Sequence, residues 1–158
     1  MTKTNTAKLT QIAILAALSV VLGYFLKVPT PTGMVTLLDV GIFFTAFRFG
    51  RREGTIVGGL TGFLIDLISG YPQWMFFSLI IHGAQGYFAG FKGKFQLAGL
   101  VLASLVMVAG YALVSATILG NGWGAALAEV LPNLSQNLVG MLLGYLLHRL
   151  VPQQGSAA

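Results

Sequence analysis

The feature that most limits what this chain can fold into is a series of apolar stretches, each about as long as a membrane is thick. A helix needs about 20 mainly apolar residues, within a range of about 17–25, to cross the hydrocarbon core of a bilayer. Only 8% of the 158 residues are charged, against about 25% in soluble domains. The sequence therefore predicts an integral membrane protein, an all-α bundle of six transmembrane helices in a single domain over 1–158. The predicted helices are 9–26, 34–49, 54–71, 73–91, 96–119 and 126–151.

Lysine and arginine residues predict the orientation, because they are enriched on the cytoplasmic side of membrane proteins. Nearly all of them fall on one side if the spans alternate, and Lys27 alone falls on the other side. We therefore expect both termini to be cytoplasmic. The N-terminal segment is interpreted as the lead-in to the first span, since no small-residue cleavage site followed by a polar domain is present. The residues on the predicted cytoplasmic side are Lys3, Lys8, Arg48, Arg51, Arg52, Lys92, Lys94 and Arg149.

Several kinds of chemistry find no support in the sequence. There is no cysteine, which excludes thiolate and disulfide chemistry, and His82 and His148 lie too far apart for a metal-ligand motif. We expect no metal and no cofactor. The net charge of +5 is better explained by cytoplasmic anchoring than by nucleic acid binding. No metalloprotease, serine hydrolase or Walker motif occurs, so we expect no enzyme activity in this chain.

Polar side chains nevertheless interrupt the fourth predicted span. Trp74, Ser78, His82 and Gln85 follow one another at intervals of 4, 4 and 3 residues and therefore share one helix face. At about 1.5 Å per residue, His82 lies about 13 Å inside the start of the span, near the middle of the bilayer. Polar groups at that depth are costly and usually mark a site or a pathway.

The fifth and sixth predicted spans carry polar groups at a similar depth, which favours a pocket that opens outward. The alternative is that these groups are hydrogen bonded to one another between helices. Flat rings such as those of Trp74, Phe77 and Tyr111 can stack on a ring-shaped ligand, and the amides and His82 can bind ring nitrogens and hydroxyls. The predicted ligand-binding residues are Trp74, Phe77, Ser78, His82, Gln85, Tyr111, Ser115, Asn133, Gln136 and Asn137.

Charged residues in the outer half have roles that the sequence leaves open. No arginine lies there, which argues against a phosphorylated ligand. Lys27 is either an interfacial lysine or the partner of a single negative group. Asp39 and Asp66 pair with Lys27, orient residues 27–33, or contact a ligand amine.

Small residues recur at intervals of four, which lets helices approach closely in lipid. Gly54, Gly58 and Gly62 predict packing inside the bundle, as do the pairs at 86 and 90 and at 140 and 144. Ala13, Ala16 and Ala17 form a flat patch on the first span. This patch either packs inside the bundle or receives a helix of a partner.

The chain resembles the S components of energy-coupling factor (ECF) transporters, the substrate-capture subunits for vitamins and their precursors. The resemblance covers about residues 8–150. It rests on the six-span layout, on residues 13–17, on "GGLTGFLIDLISGYPQW" at 58–74 and on "FFSLIIHGAQGYFAG" at 76–90. The small size and the outer half without arginine look most like the hydroxymethylpyrimidine or pyridoxine type.

This resemblance implies a mechanism. The chain is expected to bind a vitamin with high affinity from outside, in the plasma membrane of a prokaryote. Outer loops at 27–33 and 69–73, with Lys27, Pro29, Thr30 and Tyr71, close over the ligand. The expected partners are a transmembrane coupling subunit, the T component, and two cytoplasmic ATPases. Ala13 and Ala17 match the A-x-x-x-A docking motif of the family, and Ala16 widens that patch.

Other functions remain open at this stage. One is an S component for another vitamin, such as riboflavin. A second is a standalone proton-coupled transporter in which His82, Asp39 and Asp66 form a proton relay. The inner halves of the spans argue against it, since they carry almost no polar groups. A third is a structural membrane protein whose polar face only holds helices together.

Overall fold

The structure is a computed structural model that describes residues 3–152, with side chains from residue 6 onward. Residues 1–2 and 153–158 of the predicted domain lie outside this part. The described chain is helical apart from loops and one short hairpin, so the predicted all-α class is confirmed. The helices are α1 (Lys3–Phe25), α2 (Asp39–Phe49), α3 (Arg51–Ser69), α4 (Met75–Ala89), α5 (Gln96–Leu113), α6 (Gly122–Ala128) and α7 (Val130–Leu150). The antiparallel hairpin pairs β1 (Lys27–Pro29) with β2 (Met34–Thr36).

The distribution of polarity is the reverse of that in a water-soluble domain. Large apolar side chains cover the outside, with Phe25 77% and Leu97 74% exposed, while Gln85, Asn137 and Asp39 are fully buried. Soluble proteins bury apolar residues and leave amides and carboxylates outside. A lipid environment accounts for both observations, because it solvates the apolar exterior and disfavours polar groups there.

Three helical segments among the described residues are long and apolar enough to cross a membrane. They are Thr6–Phe25, Gly93–Ile118 and Gly122–Leu150. The remaining helices are shorter or more polar, and α2 has only 11 residues. At about 1.5 Å per residue, such a helix is about 16 Å long, roughly half of the hydrocarbon thickness.

Glycines bring α3 and α4 into backbone contact. A Cβ atom at Gly58 would collide with the carbonyl group of His82, and one at Gly62 would lie 2.6 Å from the carbonyl oxygen of Ser78. Gly54 and Gly86 face each other in the same way. The structure thus shows the packing role predicted for Gly54, Gly58 and Gly62. Their contacts hold the polar face of α4 against α3.

A second close pair is formed by α2 and α7. A Cβ atom at Gly144 would lie 2.7 Å from the Cβ of Phe43, and one at Gly140 would collide with the side chain of Asp39. This approach places the amides of α7 beside the start of α2. It therefore brings the polar residues of α2, α4 and α7 to one level.

The predicted helix over 34–49 is wrong at its beginning. Residues 34–36 form strand β2, and the helix begins only at Asp39. The preceding prolines and Gly33 favour a turn, and β-branched Val35 and Thr36 favour an extended backbone. The N–H of Thr36 is directed to the Gln136 side chain, 2.5 Å away.

The last two predicted spans also differ in detail from the observed helices. The residues predicted as 126–151 begin in the short helix α6, and a break at Glu129 separates it from α7. Pro132 occupies the first turn of α7, where its missing N–H is not needed. Helix α5 continues into a π-helical turn, Val114–Ile118, which buries Ser115.

Candidate functional site

A cavity lies at the end of the bundle that carries the β1–β2 hairpin. Its walls come from the hairpin loop, from α3, α4, α5 and α7, and from the π-helical turn. About 530 Å³ of space lies between its side chains, counting the open mouth, but only about 40 Å³ admits the centre of a water molecule. Binding pockets for small molecules enclose about 300–1,000 Å³. The structure thus shows a narrow form of the cavity.

Two aromatic side chains form one wall. The ring of Trp74 lies 5.3 Å from that of Tyr111, and the Tyr111 ring lies 5.7 Å from that of His82 in an edge-to-face arrangement. The hydroxyl groups of Tyr111 and Ser78 are 2.6 Å apart and hydrogen bonded. This bond fixes the Tyr111 ring, so the wall presents rigid flat surfaces to the cavity.

A hydrogen-bonded network forms the floor. The amide nitrogen of Gln85 donates to Asp39 Oδ2 at 2.9 Å and to Asn137 Oδ1 at 2.8 Å. A second amide, that of Gln136, donates to Asp39 Oδ1 at 3.2 Å. Both oxygens of the fully buried Asp39 carboxylate therefore have a partner, which a charge in a membrane interior requires.

This network also determines the tautomer of His82. Since both N–H groups of Gln85 are used, its Oε1 atom must accept a hydrogen bond from Nδ1 of His82, 2.8 Å away. The Nδ1 atom therefore carries a proton. The other ring nitrogen, Nε2, has no hydrogen bond to the described residues and belongs to a side chain that lines the cavity.

Two hydrogen bonds of Thr32 connect the hairpin loop to the lining of the cavity. Its N–H donates to Glu129 Oε1 at 3.1 Å, and its carbonyl accepts from the indole N–H of Trp74 at 3.0 Å. Both partners line the cavity. The loop is therefore linked directly to the aromatic wall and to the break before α7.

The structure brings most of the predicted ligand-binding residues together. Those that line the cavity are Trp74, His82, Tyr111, Ser115, Asn133 and Gln136. Ser78 holds Tyr111 from behind, and Gln85 and Asn137 lie in the buried network. Phe77 is partly exposed and does not line the cavity, because it lies one residue before Ser78 and so on a different face of α4.

The outer-loop residues divide in a similar way. Tyr71 lines the cavity. Lys27 and Pro29 lie in β1, and the Lys27 ammonium donates to Ser69 Oγ at 3.0 Å and lies 4.1 Å from the centre of the Tyr24 ring. Thr30 lies in the loop, and its hydroxyl is buried without a partner among the described residues.

The apolar residues that line the cavity were not predicted from the sequence, and its carboxylates were not among the predicted ligand-binding residues. Two carboxylates, Asp66 and Glu129, line the cavity, and their low exposure of 7% and 6% sets them apart from surface acids. An acidic residue inside a membrane span usually marks a functional site, so the sequence did contain a signal for both residues. No sequence signal marks the apolar and hairpin residues of the lining, which are Gly33, Met34, Thr36, Leu38, Ile65 and Met107.

The alanine patch on α1 is narrower than predicted. Ala13 and Ala17 are exposed, whereas Ala16 is only 4% exposed and packs with Ile12 and Val57 inside the bundle. Ala16 therefore does not widen the patch. The reason is the helical period, which turns position 16 about 60° or more away from the face shared by 13 and 17.

Fold and site together define a membrane protein with an aromatic and polar cavity at one end of its helical bundle. A sequence model of the family "ECF-type riboflavin transporter, S component" matches residues 3–152. The chain belongs to this family of transporter subunits. A solved structure described as the S component of a bacterial ECF transporter shares the fold, with a TM-score of 0.73 at 23% identity over 92% of this chain and 95% of that one.

Two curated relatives are similar over much of their length. The thiamine precursor transporter HmpT of Lactococcus lactis subsp. cremoris (strain MG1363) is 44% identical over 98% of this chain and 93% of its own. An uncharacterised protein of Pyrococcus woesei is 34% identical over 75% of this chain and 82% of its own.

Proposed function

We propose that this protein is the substrate-binding membrane subunit of an ECF importer for a thiamine precursor of the hydroxymethylpyrimidine type. The observation that carries the proposal is the cavity, in which the rings of Trp74 and Tyr111 stand above a polar network containing His82 and Asp39. This arrangement suits a flat heteroaromatic ring with polar substituents. The identity of 44% with a thiamine precursor transporter narrows the class.

Riboflavin is the second candidate, because the matching family carries its name. Pyridoxine is a third, since it is also a small substituted ring. The narrowness of the cavity favours the two single-ring ligands, because a tricyclic ring requires a larger displacement of the wall.

We propose that the chain crosses the membrane six times. In this arrangement α1, α3 and α4 each cross once, and α5 crosses with its π-helical turn. The short helix α2 crosses with the extended residues before it, and α6 with α7 forms the last crossing. The hairpin end carrying the cavity faces outward.

Contacts at the opposite end support a cytoplasmic position for both termini. Lys8 pairs with Glu53 there, and Arg48 donates to the carbonyl oxygens of Val151 and Pro152. Basic residues near the start of α1, the end of α2 and the end of α7 thus collect at one end, as the positive-inside rule requires of the cytoplasmic side.

The proposed partners are a T component and two ATPases, which supply the energy for transport. The exposed Ala13 and Ala17 are the proposed contact with the T component. In this scheme, the described chain binds the ligand and hydrolyses no ATP.

A binding assay with purified protein tests the ligand. Trp123 is 55% exposed and lies outside the cavity, so a Trp123→Phe variant leaves Trp74 as the fluorescent reporter. We expect saturable quenching by 4-amino-5-hydroxymethyl-2-methylpyrimidine without ATP, and weaker effects of pyridoxine and riboflavin. Folded protein that binds riboflavin but not the pyrimidine would refute the thiamine-precursor assignment.

A further inference from the structure

Asp66 is a buried carboxylate that the protein itself leaves partly unsatisfied. It lies near the end of α3, is 7% exposed and lines the cavity. Its Oδ2 atom is shielded from solvent and has no hydrogen-bond partner among the described residues. A buried acceptor without a partner is destabilising, and more so when it carries charge. The position therefore requires a partner from elsewhere.

The other carboxylates beside the cavity provide a comparison. Asp39 accepts hydrogen bonds from Gln85 and Gln136, and Glu129 accepts one from the N–H of Thr32. Each of these acids has a structural role that its protein partners explain. Asp66 differs from both: the Ser78 side chain lies within hydrogen-bonding reach of its carboxylate, but its Oδ2 atom has no partner among the described residues.

The charges around Asp66 point to the same conclusion. Among residues 3–152, no lysine or arginine lines the cavity, and His82 is the only basic side chain there. The ammonium group of Lys27 is directed to Ser69 and the Tyr24 ring. No fixed cation of the lining neutralises Asp66, so a ligand that brings N–H donors or positive charge is favoured there.

We propose that Asp66 selects the ligand by accepting hydrogen bonds from an amino group and from the adjacent ring nitrogen of a heteroaromatic ring. The inference rests on the proposed function and names the part of the ligand that is recognised. The amino group donates to one carboxylate oxygen, and the neighbouring ring nitrogen donates to the other when it is protonated. Two parallel, charge-assisted hydrogen bonds of this kind are both strong and directional.

An oxo group in place of the amino group removes this match. The ring nitrogen of the oxo compound carries an N–H that can still donate to one carboxylate oxygen, but the oxo oxygen directs an acceptor at the other oxygen, which then loses its partner in a dry site. Sites built to bind a polar hydrogen discriminate strongly against ligands that lack it, by about 10⁴-fold or more in the best cases.

The test compares 4-amino-5-hydroxymethyl-2-methylpyrimidine with its 4-oxo counterpart by calorimetric titration of the purified chain. We expect the wild-type protein to prefer the amino compound by about 100-fold or more, which corresponds to about 2.7 kcal/mol. Asp66→Asn, which is close in shape, should reduce this preference to less than about 10-fold. Glu129→Gln is the matched control, because it removes another carboxylate of the lining. It should weaken both ligands alike and leave their ratio unchanged.

Three outcomes overturn the inference. The first is equal binding of the two pyrimidines by the wild-type protein, a result that needs no variant and stands even if Asp66→Asn does not fold. The second is a folded Asp66→Asn protein that keeps the wild-type preference, which leaves the proposed function intact. The third is wild-type protein that binds neither pyrimidine but binds riboflavin, which refutes the proposed function as well.

Discussion

Gln85 connects three polar side chains in the buried network, and each of them depends on it. It donates to Asp39 and to Asn137 and accepts from His82. Leucine at this position fills a similar volume but offers no hydrogen bond. The polar groups of these residues would then lose partners in a region that water does not reach.

We predict that Gln85→Leu lowers the free energy of unfolding by roughly 2–4 kcal/mol, because each orphaned buried group costs about 1–3 kcal/mol. Thermal denaturation in detergent measures this loss. The control is Gln11→Leu, since Gln11 is an exposed residue of α1 and should tolerate the change. Equal stability of the two variants would contradict the view that the network stabilises the fold.

At the scale of single elements, few contacts hold the hairpin loop to the rest of the cavity lining. Thr32 joins it to Glu129 and to Trp74, each by one hydrogen bond. When a loop covers a bound ligand, the loop must open before the ligand can leave, and this opening is slower than the motion of single side chains. The strength of these two bonds should therefore affect how long the ligand remains bound.

We predict that Glu129→Ala increases the rate of ligand dissociation by roughly 10-fold, as expected for the loss of about 1.4 kcal/mol. Stopped-flow fluorescence of Trp74 after mixing with excess competitor reports this rate. Glu53→Ala is the control, because Glu53 pairs with Lys8 at the far end of the bundle. An unchanged dissociation rate in Glu129→Ala would show that the loop closes without this contact.

Helix α1 offers a direct comparison between an exposed and a buried alanine. Ala17 is exposed, whereas its neighbour Ala16 is 4% exposed and packs against Val57. We predict that Ala17→Trp prevents assembly with the T component but spares ligand affinity. Ala16→Trp should instead destabilise the fold by overpacking, typically by about 1–3 kcal/mol.

Co-purification with the T component and calorimetric titration of the isolated chain separate these two effects. If Ala17→Trp reduces ligand affinity as much as it reduces assembly, α1 has no dedicated docking face. If Ala16→Trp remains as stable as the wild-type protein, the packing of α1 against α3 is looser than the structure indicates.

Sequence periodicity was sufficient to predict the polar face of α4, because helical spacing is a local property. The face of Ser78, His82 and Gln85 required only a count of residues. The start of α2 was missed, because the strand over 34–36 depends on pairing with 27–29 and on the side chain of Gln136. Those contacts connect distant parts of the chain. Ala16 was misplaced for a related reason, since composition alone does not show which residues of an apolar helix face inward.

At the scale of the whole molecule, the proposed function separates ligand binding from energy supply. The polar groups among the described residues concentrate in and below one cavity near the hairpin end. The other end of the bundle carries basic side chains held by local contacts, as with Lys92 and the Phe47 carbonyl. In the proposed scheme, a change in the position of the whole bundle, or of its neighbours, carries the bound ligand to the other side.

This separation predicts the behaviour of the protein in liposomes. The chain alone should bind the thiamine precursor but should not accumulate it, with or without a pH gradient. Addition of a T component and two ATPases should produce uptake that requires ATP, and Ala17→Trp should abolish that uptake. Radiolabelled ligand retained inside the vesicles is the measurement, and binding by the same preparation in detergent is the control for folding. Uptake by the chain alone in response to a proton gradient would instead favour a relay through His82, Asp39 and Asp66. In that case the buried network would conduct protons rather than only form the floor of a binding site.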